Sequence, residues 1–274
     1  MAFTYETVLM VGCTSGIGLA LAERMIENGV FVIGTGRRQD RLDAFAAKHG
    51  ADKAAASQFD ITDIAGIKDW AASLTKQYPA IDCVILNSGV QRTLDFTNPA
   101  SIDLASVQDE LTTNYTSYIA LMAAFLPHLQ AQAPKPVGLM AVTSGLAFVP
   151  IPRPANYCAT KAALHSILWT LRAQLAHDDR SRHVRVVEII PPAVQTDLHS
   201  SQADLVARGE GHFGMPLAAF IDGAWAGLQE GKEEIPVGEL AVKNHDADAA
   251  RRELYAGIMK MMSSPNAPFS VRGF

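Results

Sequence analysis

The 274-residue chain predicts an α/β fold: one domain built on a doubly wound parallel sheet. Three observations carry this expectation. Short β-branched or apolar runs alternate with longer helical patterns, the signature of βαβ units. Several of the short runs are apolar throughout, as strands covered on both faces are. The first run also leads through a glycine-rich turn straight into a helix.

Taken in order, Thr-Val-Leu-Met-Val at 7–11 reads as the first strand, and the pattern at 18–28 as the helix behind the turn. The β-branched run at 30–35 gives a second strand, followed by a helix at 40–49. A strand at 56–59 precedes a helix at 64–77, and the apolar run at 81–86 supplies the fourth strand. One long helix is expected over 107–130, then a strand at 137–142. The helix at 155–177 places Leu164, Leu168, Leu171 and Leu175 on one face. Its sequel is a strand at 184–190. The region 196–216 has no clear periodicity, and so long an irregular connection inside a domain is usually functional, here a substrate lid. A helix at 217–229 and an edge strand at 234–237 close the sheet, leaving a C-terminal helix and tail from 246, loosely held from Ser263 or packed on a partner subunit.

A chain of this size buries enough surface to need no disulfide or metal. The formal charge of −5 and the absence of a long basic run decide against nucleic acid as partner. Cys13, Cys83 and Cys158 have no metal-ligand spacing and leave one unpaired under any single bridge, which suits a reducing compartment. With no secretory pattern at the N-terminus and no apolar run near the ~20 residues of a membrane span, a cytoplasmic location is expected.

Gly12, Gly16 and Gly18 stand where the chain must turn tightly and a pyrophosphate must approach free backbone N–H groups at a helix N-terminus. The second strand ends Thr35-Gly36-Arg37-Arg38, with no carboxylate at its tip to accept ribose hydroxyls. Arg37, supported by Arg38, instead suits a 2′-phosphate, so the expected cofactor is NADP(H). Near the start of the long later helix, Tyr157 and Lys161 stand four apart on one face. An ammonium at ~4 Å with an effective dielectric of ~20 is worth about 4 kcal/mol, roughly three pKa units of the phenol. That would bring tyrosine into the range of acid–base work.

Together these residues resemble the short-chain dehydrogenase/reductase family. Its glycine motif appears as Val11-Gly12-Cys13-Thr14-Ser15-Gly16-Ile17-Gly18, its Asn-Asn-Ala-Gly as Leu86-Asn87-Ser88-Gly89, and its Tyr-x3-Lys as Tyr157-Cys158-Ala159-Thr160-Lys161. Asn114 and Ser144 match its remaining catalytic positions, and the wording around Pro191-Pro192-Ala193-Val194 resembles a subgroup labelled DltE-like. The resemblance implies a Rossmann fold and hydride transfer between the nicotinamide and a carbonyl carbon. In it Tyr157 is the proton donor, Lys161 lowers its pKa and holds the nicotinamide ribose, Ser144 orients the substrate oxygen and Asn114 keeps a water in a relay. Ser15, Ile17, Asp60, Ile61, Asn87, Gly89, Val194 and Thr196 are expected to line the cofactor cleft, with Asp60 on the adenine. Pro192 departs from the family's glycine there and stiffens the approach.

The resemblance also implies a homodimer or homotetramer. A non-catalytic NADP(H)-binding regulator is the alternative reading; such proteins lose the Tyr or Lys, and this chain keeps both. Leu146, Phe148, Val149 and Ile151 are expected to wall an apolar substrate pocket; His199 and His212 fall in the lid, where either could touch substrate, though exposed loop residues are the expectation.

Overall fold

The computed structural model describes residues 3–262; the tail expected from Ser263 lies outside them. Seven parallel strands alternate with helices: β1 (Thr7–Val11), α1 (Gly16–Glu27), β2 (Phe31–Gly36), α2 (Gln39–His49), β3 (Ala54–Gln58), α3 (Ile67–Gln77), β4 (Cys83–Leu86), α4 (Leu104–Leu111), α5 (Ser117–Gln130), β5 (Val137–Val142), α6 (Ala155–Ala176) and β6 (Val184–Ile190). The chain continues through α7 (Asp197–Ser200), α8 (Ala203–Ala207), α9 (Leu217–Gln229), β7 (Glu234–Pro236), α10 (Glu239–Asp246) and α11 (Ala249–Met262).

The strand order is β3-β2-β1-β4-β5-β6-β7. The order reverses between β1 and β4, so their carboxyl ends open the crevice where doubly wound sheets bind ligands. Successive side chains of β1 leave on opposite faces. Val8 and Met10 join Leu21, Met25, Phe220 and Leu228 under α1 and α9. Leu9 and Val11 join Phe125, Leu164 and Leu168 under α5 and α6. Two cores, one per face, explain why the strands read as unbroken apolar runs.

Two expectations are corrected. The helix expected over 107–130 starts at Leu104 and is broken by a π-helical turn at Thr112–Thr116, with Asn114 at its centre. Such turns insert one residue into the ladder and re-aim a side chain. A pattern of period 3.6 cannot announce them. The region expected to be irregular, 196–216, contains α7 and α8. Helices of four and five residues are too short to show a period. The remaining element ends differ from expectation by three residues at most, within the ordinary fraying of helix and strand termini.

Candidate active site

The turn after β1 is built for a close backbone approach. Gly12 has φ +92°, and a Cβ on Gly18 would collide with the Gly12 carbonyl oxygen. The side chain of Asn87, just past β4, donates to that same oxygen at 3.1 Å and fixes the turn to the neighbouring strand. Ser15 caps α1 without spending its side chain on the helix. Orphan N–H groups and the helix dipole therefore face the crevice.

Three arginines converge on this turn. Arg38 donates to Thr14 Oγ1 at 2.7 Å and to Ser15 Oγ at 2.8 Å. Arg41 reaches the Thr14 carbonyl at 3.3 Å. Arg37 is more exposed and lies 4.0 Å from Asp60. All three line a cleft of about 570 Å³ together with Gly12, Asp60, Ile61, Asn87 and Thr113. Partial burial, then the neighbouring Arg41, lowers the pKa of Arg38, with Asp197 opposing. A guanidinium crowded by like charge favours an arriving anion.

Deeper in, α6 faces the end of β5. Tyr157 and Lys161 are both buried. Lys161 Nζ donates to the Val142 carbonyl at 2.9 Å and lies 5.6 Å from the Tyr157 ring centroid. Ser144, two residues beyond Val142, accepts from the Leu146 N–H at 3.1 Å. Asn114 is fully buried: its amide donates to the Val90 carbonyl at 2.8 Å and to Thr160 at 3.2 Å, and its oxygen accepts from the Val90 N–H at 2.9 Å. The π-turn thus pins the chain leaving β4 against α6. Asn114 Oδ1 lies beside Gly89, where an added Cβ would stand 3.4 Å from it.

The electrostatics correct one expectation. Lys161 makes no hydrogen bond to the phenol of Tyr157 among the described residues. Burial raises the Tyr157 pKa, with a hydrogen bond from Ser144 pulling the other way. Burial also lowers Lys161 to about 8, with the Glu188 carboxylate opposing. The ammonium donates to the Val142 carbonyl, and burial favours the protonated phenol.

Residues 6–205 match the family model described as short chain dehydrogenase. The chain belongs to the short-chain dehydrogenase family. Among curated relatives, this short-chain dehydrogenase is 37% identical to the oxidoreductase DltE of Bacillus subtilis (strain 168) over 86% of its own length and 89% of that protein's. It is 34% identical to serine 3-dehydrogenase of Agrobacterium fabrum, over 70% and 73%. It is 32% identical to the NADP-dependent 3-hydroxy acid dehydrogenase YdfG of Salmonella typhi, over 68% and 72%. A short-chain dehydrogenase of Sphingobium yanoikuyae in complex with NADPH shares the fold, with TM-score 0.75 and 24% identity, over 92% and 95%.

Within this short-chain dehydrogenase, a second cavity of about 470 Å³ adjoins Ser144 and is lined by Leu146, Ile151, Pro191, Pro192, His199 and Phe213, among others. Leu146 and Ile151 stand where expected. Phe148 does not line the cavity but turns inward onto the His165 ring at 4.4 Å, and Val149 is exposed. His199 is buried, not an exposed loop residue, and its Nδ1 lies 3.2 Å from the Val194 carbonyl; burial lowers its pKa. His212 is exposed, as expected. The Val194–Thr196 strip is held by an isolated bridge from Val194 to Met215, and the Pro192 ring packs near Gly238.

Arg153 and Asp204 escaped the sequence reading. Arg153 donates to both Asp204 oxygens, at 2.6 and 2.8 Å, and to Gln202 at 2.6 Å. Thr93 donates to Asp204 as well, at 3.0 Å. These contacts bolt α8 to the segments before α4 and α6. Arg41 was missed too, although its place one turn beyond Arg38 would have been a usable signal.

Proposed function

We propose that this oxidoreductase prefers NADPH and interconverts a carbonyl and an alcohol on a largely apolar small molecule. The observation that carries this reading is Ser144, which lines an apolar cavity and hydrogen-bonds the buried Tyr157 of α6, in a chain whose glycine turn opens a separate arginine-lined cleft. NADPH supplies a hydride when bound. In the reading, Arg37, Arg38 and Arg41 hold its 2′-phosphate, the α1 N-terminus its pyrophosphate, and Asp60 and Ile61 flank its adenine. Asn87, Gly89, Val194 and Thr196 line its path toward Ser144.

Each catalytic side chain then has one task. Ser144 orients the substrate oxygen, and Tyr157, kept protonated by burial, donates a proton to it. Lys161 carries positive charge beside the phenol ring and binds ribose hydroxyls. Asn114 fixes Val90 and α6 relative to each other. A non-catalytic binding protein has no use for a buried, paired set of this kind.

The cavity favours an uncharged substrate. Its two arginines, Arg153 and Arg208, are both engaged by Asp204, and His199 is neutral. A 3-hydroxy acid carries a carboxylate, for which the described lining offers no uncommitted cation. The region of α7 and α8 acts as the lid in this reading. The three free, buried cysteines accord with a reducing, cytoplasmic compartment; no described helix is long and apolar enough to cross a membrane. A panel of ketones, aldehydes and keto acids screened by NADPH depletion tests the reading. Uncharged apolar ketones should turn over best, and preferred turnover of keto acids would contradict it.

A further inference from the structure

The chain leaving β4 is pinned on both sides of Gln91. Before it, the Asn114 side chain holds the Val90 N–H and carbonyl at 2.9 and 2.8 Å. After it, the Arg92 N–H donates to Glu110 Oε1 at 3.0 Å. Glu110 is itself buried and takes the Asn156 amide at 2.7 Å. Gln91 is buried too, and it lines the cavity of about 470 Å³ beside Ser144. A side chain carried on so fixed a backbone is pre-organised for what it meets there.

Its neighbours decide which end of the Gln91 amide is free. Arg153 can only donate, and it donates to Gln202 Oε1 at 2.6 Å. Gln202 therefore turns its Nε2 the other way, onto the Leu198 carbonyl and, at 3.3 Å, onto Gln91 Oε1. The Gln91 oxygen is thus taken. Its NH2 group has no hydrogen-bond partner among the described residues, yet it is not sealed off. Gln202 lines a neighbouring cavity of about 550 Å³ that Gln91 also borders. The bonded oxygen faces that side, which leaves the NH2 group for the cavity beside Ser144. The charges of that cavity already answer one another: Arg153 and Arg208 hold Asp204, and Arg208 also meets Glu210.

We propose that Gln91 is a specificity-determining residue whose NH2 group donates to a second carbonyl oxygen of the substrate, so that the favoured substrates are uncharged ketones bearing another carbonyl. The inference rests on reading Ser144 and Tyr157 as the site of the reacting carbonyl. A purely apolar substrate would cover the Gln91 donor and leave it without water or partner, which is costly. A carbonyl oxygen accepts without needing an acceptor in return, whereas a hydroxyl brings a donor of its own. A carboxylate would call for a cation, and the arginines here are already paired.

The test pairs straight-chain ketones with keto esters of the same length. The ester carbonyl is set at successive positions, always at least two methylenes from the ketone so that it does not activate it. The ratio of kcat/KM within each pair is measured with NADPH in the parent protein, Gln91→Leu and Gln91→Glu. At one ester position the parent protein should favour the keto ester by roughly three- to tenfold, the worth of one neutral hydrogen bond. Both substitutions should bring that ratio to one or below. Gln91→Glu keeps an acceptor for Gln202 while removing the donor, so it carries the comparison even if Gln91→Leu fails to fold. A parental ratio near one at every position, or a preference that survives the substitutions, overturns the proposal. Binding calorimetry of the same pairs with NADP+ separates it from the reductase reading. A Gln91-dependent preference in binding without any turnover upholds the donor and overturns the reductase reading. Equal turnover of ketone and keto ester upholds the reductase reading and overturns the donor.

Discussion

Lys161 gives a hydrogen bond of 2.9 Å to the carbonyl oxygen of Val142, two residues before Ser144. This contact locks α6 to the end of β5. It also shows where the ammonium donates: to the sheet, not to the phenol oxygen. Burial lowers the lysine to about 8.

Lys161→Met should abolish a titration with midpoint near 8, and Tyr157→Phe should leave it in place. The sign for stability follows from the lowered value. Between the folded value and the unfolded ~10.4 the unfolded chain binds more protons, so stability rises with pH there. Lys161→Met should flatten that rise and stabilise the fold at pH 7 by up to about 3 kcal/mol, less the cost of an unpaired Val142 carbonyl. Thermal melts from pH 7 to 10 check this; an unchanged slope would count against a buried, titrating Lys161.

Cofactor preference is predicted to follow the arginines at the glycine turn. Arg38→Glu should weaken NADPH binding by roughly ten- to a hundredfold, since charge-assisted hydrogen bonds of ~1.5–3 kcal/mol are lost. Arg37→Asp should weaken it in the same direction, and NADH binding should change little in either variant. Titration calorimetry decides the matter: equal affinity of the parent protein for NADH and NADPH would refute the assignment.

Asp204 ties α8 to Arg153 and Thr93. Burial works to raise its carboxyl, but the hydrogen bonds from Arg153 and Thr93 prevail and hold it below the ordinary range. A depressed carboxyl contributes above its unfolded value of ~3.9 and is lost as pH falls through the folded one. The bolt should hold across pH 5–8. Asp204→Asn should open it, speeding proteolysis near residues 197–210 by about fivefold for a half-exposed pair worth ~1 kcal/mol. NADPH affinity should be nearly unaffected. Cleavage at the parental rate would mean that other contacts hold the lid.

What the sequence made legible was what local pattern encodes. Unbroken apolar runs such as Val137–Val142 report strands covered on both faces, and Gly12 and Gly18 report a turn no side chain could enter. Ordered spacing located Ser144, Tyr157 and Lys161. What escaped was set by tertiary contact. The π-turn around Asn114 is one inserted residue in an otherwise helical run. The Arg153–Asp204 bolt joins residues far apart in the chain, and His199 is buried against the Val194 carbonyl and the Phe213 ring. The direction of the Tyr157 shift was misjudged for the same reason: a four-residue spacing brings Lys161 near but says nothing of the burial that raises the phenol.

The most direct test of the catalytic reading removes one oxygen. Tyr157→Phe keeps the buried ring, so NADPH affinity should stay within about twofold of the parent protein. Reduction of the best ketone from the panel should fall by roughly 10²–10⁴-fold, the usual contribution of a positioned proton donor. Steady-state NADPH oxidation, measured beside titration calorimetry on the same preparation, separates the two. Lost turnover with intact binding is the predicted result; turnover at the parental rate would contradict the assignment of Tyr157 as the proton donor.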